Sequence, residues 1–321
     1  MLVAAVREDR IFVKRFPAVV LRGLSALALA AILAVCLRAQ GADSAPPPAK
    51  PQDPGPVLVE LFTSEGCPHC PEADAMLEKM YTEQSVEGAQ IIALEEHVDY
   101  WDRQAWVDHF SSHAFTARQQ NYADAMDLDA LYTPEMVVDG LVEFVGNNAG
   151  RARATISALG RAPLAVIHFL PSGSSPANSP PSAMRVRLQA SAVSRDSAAD
   201  LFLVVAEDKL FSRVAGGSNA GESWPHSSVA RSLRLAGKLP AGRGELSLTA
   251  EVAAPEPGWR VDHLRLVAFL QEEDSLRVLA LGSAPFSAFL PDAAGATRPA
   301  ARRSGPDASP AVSNSRRGSS N

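Results

Sequence analysis

Four residues, Cys67-Pro68-His69-Cys70, constrain this chain more than any others. They follow a short apolar run, residues 57–62, whose composition suits a buried strand. They precede residues 71–84, where Ala73, Met76, Leu77 and Met80 recur at helical spacing. A Cys-x-x-Cys pair at a strand-to-helix turn is the layout of a thioredoxin-like redox site. The free N–H groups and positive dipole end of the helix stabilise a thiolate there. The expectation is that Cys67 caps the helix, is the more exposed and acidic thiol, and attacks, while Cys70 lies in the first turn and resolves. Pro68 and His69 tune the pair. A cationic His69 favours the Cys67 thiolate, and a more stable thiolate makes a more oxidising couple.

The chain has three cysteines among 321 residues. The third, Cys36, lies in an apolar stretch, residues 23–37, behind Lys14, Arg15 and Arg22 and before Ala39, Gly41 and Ala42. That pattern reads as a signal peptide over residues 1–42. Cleavage leaves only Cys67 and Cys70, in an exported, periplasmic or secreted compartment where disulfides persist. Two alternatives place the protein at a membrane: lipidation of Cys36 within Leu33-Ala34-Val35-Cys36, or retention of the apolar segment as an anchor. Residues 43–56 form a Pro/Ala-rich linker. Residues 291–321 carry almost no large apolar side chain and read as a disordered tail. Net charge is −6 with no basic face, so nucleic acid is not an expected partner.

Between these ends two domains are expected. Residues 57–160 follow the order β-α-β-α-β-β-α. The strands fall at 57–62, 90–94, 135–139 and 141–145, and the helices at 71–84, 114–126 and from an Asn148 cap to 159. Asp139-Gly140 signals a hairpin. Parallel strands first and a hairpin last make an α/β thioredoxin-like domain. Residues 163–290 contain runs at 164–170, 184–192, 200–207, 245–252, 262–271 and 276–284. Several alternate, as where Arg185, Arg187 and Gln189 interleave with Val186, Leu188 and Ala190. They predict a mostly antiparallel, sandwich-like β domain.

Other residues join the candidate site. Thr133-Pro134 falls just before the hairpin, where a cis-proline opposite the cysteines docks substrate in a thioredoxin-like layout. A polar, aromatic loop is expected over residues 95–112. In it His97, Asp99 and Trp101 suggest a lid over the cysteines, with His97 and Asp99 as a proton relay. Glu60 is an acid in an apolar strand. It lies one residue further from the first cysteine than the buried acid of thioredoxins, so it points to the other face. The alternative chemistry is Cu(I) on Cys67, Cys70 and His97 (His69, His109 and His113 are further histidine candidates), because soft ligands suit that ion. A third alternative is a non-catalytic binding protein. Disulfide exchange implies cysteine-containing exported proteins or a redox protein as partners, and no cofactor beyond the Cys67–Cys70 disulfide.

The segments Val59-Glu60-Leu61-Phe62-Thr63-Ser64-Glu65-Gly66-Cys67-Pro68-His69-Cys70, His97-Val98-Asp99-Tyr100-Trp101-Asp102, Phe115-Thr116-Ala117-Arg118-Gln119 and Tyr132-Thr133-Pro134-Glu135-Met136-Val137-Val138-Asp139-Gly140 together resemble the DUF1223 family. The resemblance extends through Gly216-Gly217-Ser218-Asn219-Ala220-Gly221 and residues 226–235. It implies an exported protein of thioredoxin-like fold and no assigned activity. The Cys-Pro-His-Cys tetrad is also similar to that of the DsbA family of periplasmic oxidases.

Overall fold

The computed structural model describes residues 54–102, 105–162, 164–171 and 183–290. The expected leader, Cys36 and the tail from residue 291 lie outside the described residues, as does all of the linker but its last three residues.

The first half of the described chain runs β1 (Gly55–Thr63), α1 (Cys70–Glu83), β2 (Ala89–His97), α2 (His113–Ala125), β3 (Glu135–Val138), β4 (Val142–Val145) and α3 (Ala149–Gly160). β1 pairs parallel with β2 and antiparallel with β3, which pairs antiparallel with β4. Every residue of β1 is buried, as a strand covered on both faces requires. Its alternate residues Val57, Val59 and Leu61 pack with Ala73, Leu77 and Met80 of α1 and Ala152 and Ile156 of α3. α3 begins where expected, with the Asn148 side chain accepting from Arg151 N at 3.0 Å. Asp139 and Gly140 both have positive φ, 51° and 67°, as a type I′ turn requires. Gly140 is also sterically fixed, since a Cβ there would lie 1.9 Å from the Leu276 carbonyl oxygen.

The second half contributes β5 (Ala165–Val166), β6 (His168–Pro171), β7 (Ala183–Arg195), β8 (Ala199–Glu207), β9 (Leu210–Arg213), β10 (Ser223–His226), β11 (Val229–Leu239), β12 (Gly242–Ala253), β13 (Leu264–Glu272) and β14 (Val278–Pro285). The sequence pattern separates two sheets at about residue 160. In the structure one nine-stranded sheet crosses that point, in the order β4-β3-β1-β2-β11-β8-β13-β14-β5. The joint is β2 beside β11, at Glu95 and Val229. One face of β8 and β13 packs on the three-stranded sheet β12-β7-β6, forming a sandwich core around Leu188, Leu203, Leu266 and Val252. The opposite face joins Leu58, Ile92 and Leu94 around Phe115 of α2, so one core serves both halves. Strands β9, β10 and β11 were not expected. The first two are four residues each, and β11 alternates weakly around Arg231, Arg234 and Lys238.

Candidate functional site

Residues 64–70 make the turn from β1 into α1. Cys67 N donates to Ser64 O at 3.1 Å and Cys70 N to Cys67 O at 3.3 Å, giving two successive turns. Cys67 and Cys70 are joined as a disulfide with their Cα atoms 5.4 Å apart. The helix starts at Cys70 with His69 at its cap, so Cys67 stands before the helix and does not cap it. Both cysteines are fully buried, while Pro68 and His69 are exposed. This corrects the expectation that Cys67 is the more accessible thiol.

The cover over Cys67 comes from the second half of the chain. Asn219 Nδ2 donates to the carbonyls of Glu65 and Cys67, each at 2.8 Å. Ser212 Oγ donates to Glu65 Oε1, and Trp106 Nε1 donates to Glu65 Oε2 at 2.8 Å. Gly216 lies against the 101–110 loop so closely that a Cβ would fall 2.4 Å from Ala105 O. The hairpin of β9 and β10, with the connection between them, therefore forms a roof on the cysteine turn together with Trp106.

The expected lid residues divide. Trp101 does lie on the cysteine turn: a Cβ on Gly66 would sit 3.2 Å from Trp101 Cβ. Its Nε1 donates to Thr133 Oγ1 at 2.7 Å, so Trp101 bridges the turn and the Thr133–Pro134 segment. The Thr133–Pro134 bond is cis, and Pro134 immediately precedes β3. His97 is no lid residue. It ends β2, is fully buried, and its Nδ1 lies 2.7 Å from Asp108 Oδ2. Asp99 accepts instead from Thr116 Oγ1 at 2.6 Å and faces His113 at 3.3 Å, so the expected His97–Asp99 relay is not formed. The strand runs three residues further than its apolar pattern because Glu95 and His97 find buried polar partners. Of the other histidines, His69, His109 and His113 are exposed.

Glu60 points away from the cysteines, as its one-residue offset implies. It accepts from Arg118 Nε and from Tyr122 OH, both at 2.6 Å, on the α2 face of the sheet. On the cysteine face the acid is Asp74, one helical turn after Cys70. Thr63 Oγ1 donates to Asp74 Oδ1 at 2.6 Å. Burial, then the nearby Glu95 carboxylate, push Asp74 up to about 7, against the opposing charges of His226 and His97. Burial alone would depress His97, but the charge and hydrogen bond of Asp108, with help from Glu95, hold its pKa well above the ordinary value. Asp108 resists burial through the His97 charge and three hydrogen bonds and falls to about 2. His226, on β10, is also fully buried, with Nδ1 3.1 Å from Glu95 Oε2. Asp74, Glu95, His97, Asp108 and His226 thus form one buried polar group around the end of β2. Sequence reasoning singled out only His97 of these. Asp74 left one trace, an acid within the Ala73–Leu77–Met80 stripe. His226 left none beyond the family-like segment it begins.

Among the described residues no helix is long and apolar enough to cross a membrane. No curated protein matches the chain. A crystal structure of a protein from Agrobacterium tumefaciens is similar in fold, with a TM-score of 0.55 and 22% identity over 73% of this chain and 94% of that one. The model of DUF1223, a protein family of unknown function, matches residues 58–271, and with two-thirds of its length in that match the chain belongs to this family.

Proposed function

We propose that this is an exported thioredoxin-like protein that carries out thiol–disulfide exchange at Cys67 and Cys70. One observation carries the reading. The only cysteines among the described residues are paired in the turn that leads from β1 into the N-terminus of α1. Free N–H groups and the helix dipole there favour a thiolate as it forms. In the reduced protein the Cys67 thiolate attacks one sulfur of a partner disulfide. A Cys67–partner disulfide forms and the partner's other sulfur leaves as a thiolate. Cys70 loses its proton and attacks Cys67, which restores the Cys67–Cys70 disulfide and releases the partner as a dithiol. Run backwards, the same steps oxidise a partner dithiol. His69, exposed beside the pair, sets the balance between the two directions, and Thr133, which precedes the cis bond to buried Pro134, offers its backbone groups to the partner chain. Because both sulfurs are buried, exchange requires the roof formed by residues 210–226 and Trp106 to open.

The test is a redox titration of the full chain in glutathione buffers, with turnover of a disulfide-containing peptide and its dithiol. We expect one two-electron couple and turnover that vanishes in Cys67→Ser and Cys70→Ser. A folded wild-type protein that turns over neither peptide form would overturn the reading. Tight Cu(I) binding by the two thiolates in that same inactive sample would favour copper delivery instead.

A further inference from the structure

We propose that Glu95, His97 and His226 form a buried binding site for a divalent transition-metal cation of the zinc type. One ligand atom from each of the three lies within 4.8 Å of the other two, and all three residues are buried. Glu95 Oε2 stands between the histidines, 3.1 Å from His226 Nδ1 and 3.9 Å from His97 Nε2. Two ligands held about 2.0–2.1 Å from one tetrahedral zinc lie roughly 3.3 Å apart, so a small contraction of this triangle would close around an ion.

Three further features distinguish the group from an ordinary buried hydrogen-bond network. His97 Nε2, the nitrogen that faces Glu95, is buried without a hydrogen-bond partner, which is rare for polar atoms inside a protein, while the orphaned Nε2 of His226 lies on the other side of its ring, 3.9 Å from Glu65 Oε1. Asp74 Oδ2 is buried and orphaned in the same way, and Asp74 feels the charges of these same three residues, so its free oxygen is available as a fourth donor. The outer shell is also in place. Asp108 binds His97 Nδ1 at 2.7 Å and is itself fixed by the N–H groups of Glu65 and Phe110, each at 2.8 Å. A carboxylate on the far nitrogen of a ligating imidazole sets the ring's tautomer and orientation, and here it leaves Nε2 facing Glu95.

The donor set selects the ion. Two imidazoles with one or two carboxylates suit zinc and its neighbours, whereas Cu(I) prefers sulfur, which the closed disulfide cannot supply as thiolate. The site is also assembled from both halves of the chain: Glu95 and His97 end β2, and His226 ends β10 of the roof. A bound cation would therefore pin the roof to the end of β2. This inference stands independently of the exchange chemistry, because the ligands exclude both sulfurs.

The experiment uses the full chain without a polyhistidine tag, treated with chelator and kept in its disulfide form. Zinc is added alone, and binding is followed by calorimetry, thermal melting and X-ray absorption at the zinc edge. We expect one zinc per chain, a raised melting temperature, and a first shell of nitrogen and oxygen with imidazole scattering and no sulfur. His97→Ala with His226→Ala should weaken binding by more than about 100-fold, and Asp108→Asn by about 10–100-fold as a positioning residue. If the double variant fails to fold, the wild-type absorption spectrum still decides, since it reports the ligands directly. A folded wild type that takes up no zinc would overturn the proposal. So would a sulfur-containing shell, or zinc retained by a folded double variant.

Discussion

Access to the disulfide should be controlled by Asn219. Its side chain is 7% exposed and donates two 2.8 Å hydrogen bonds, to the carbonyls of Glu65 and Cys67. Asn219→Ala removes both donors, so that Glu65 O loses its partner and Cys67 O keeps only the 3.3 Å bond from Cys70 N. At about 1 kcal/mol net per bond, the closed roof loses about 2 kcal/mol relative to the open one. Since 1.4 kcal/mol is a factor of ten in an equilibrium, the open form should become roughly 30-fold more populated. Where opening is fast and precedes attack, the observed rate tracks that population. The assay is the pseudo-first-order rate of Cys67–Cys70 reduction by dithiothreitol, with global stability measured by urea in parallel. We expect the rate to rise by one to two orders of magnitude. An unchanged rate in a variant that has lost about 2 kcal/mol of stability would refute the reasoning, since reductant would then reach the sulfurs without displacing residues 210–226.

The remaining predictions concern charge. Arg118→Met strips the cation from buried Glu60 and Glu96, at 2.6 and 3.6 Å, and should cost about 3–5 kcal/mol in a urea melt. A loss below about 1 kcal/mol would show that those acids do not need it. Asp139 is buried and accepts from Leu58 N at 2.7 Å, and burial pushes its pKa up to about 7. The folded state therefore holds this proton more tightly than the unfolded chain, whose aspartate pKa is about 3.9. Its contribution to stability is full below about pH 4 and is lost as pH rises through 7. Asp139→Asn keeps the acceptor and tolerates the positive φ, so it should flatten the fall in stability across that window; an equally steep fall would reject the assignment. His69→Ala should make the Cys67–Cys70 couple more reducing while peptide turnover persists, because His69 is exposed at the helix cap and breaks no bond. An unchanged potential would remove its tuning role.

What the sequence alone determined was local. The apolar run before Cys67, the 3–4 spacing after it, the Asn148 cap and the Asp139-Gly140 turn each depend on neighbours a few residues apart. The corresponding elements form within one to three residues of where those signals place them, with Thr133–Pro134 just before its strand. Glu60's departure from the cysteine face was also legible, because strand periodicity is strictly two. Only the tertiary structure decided what surrounds the cysteines. Asn219, Ser212 and His226 lie about 150 residues from Cys67 in the chain, on short strands or loops without a periodic pattern. Their approach depends on β11 docking beside β2, which a single register pair joins. Polar residues at such long-range contacts look, in sequence, like ordinary loop residues. Burial of Glu95, His97 and Asp74 became possible only once those distant partners and Asp108 arrived to satisfy them, because an ionisable group enters a core only with a partner.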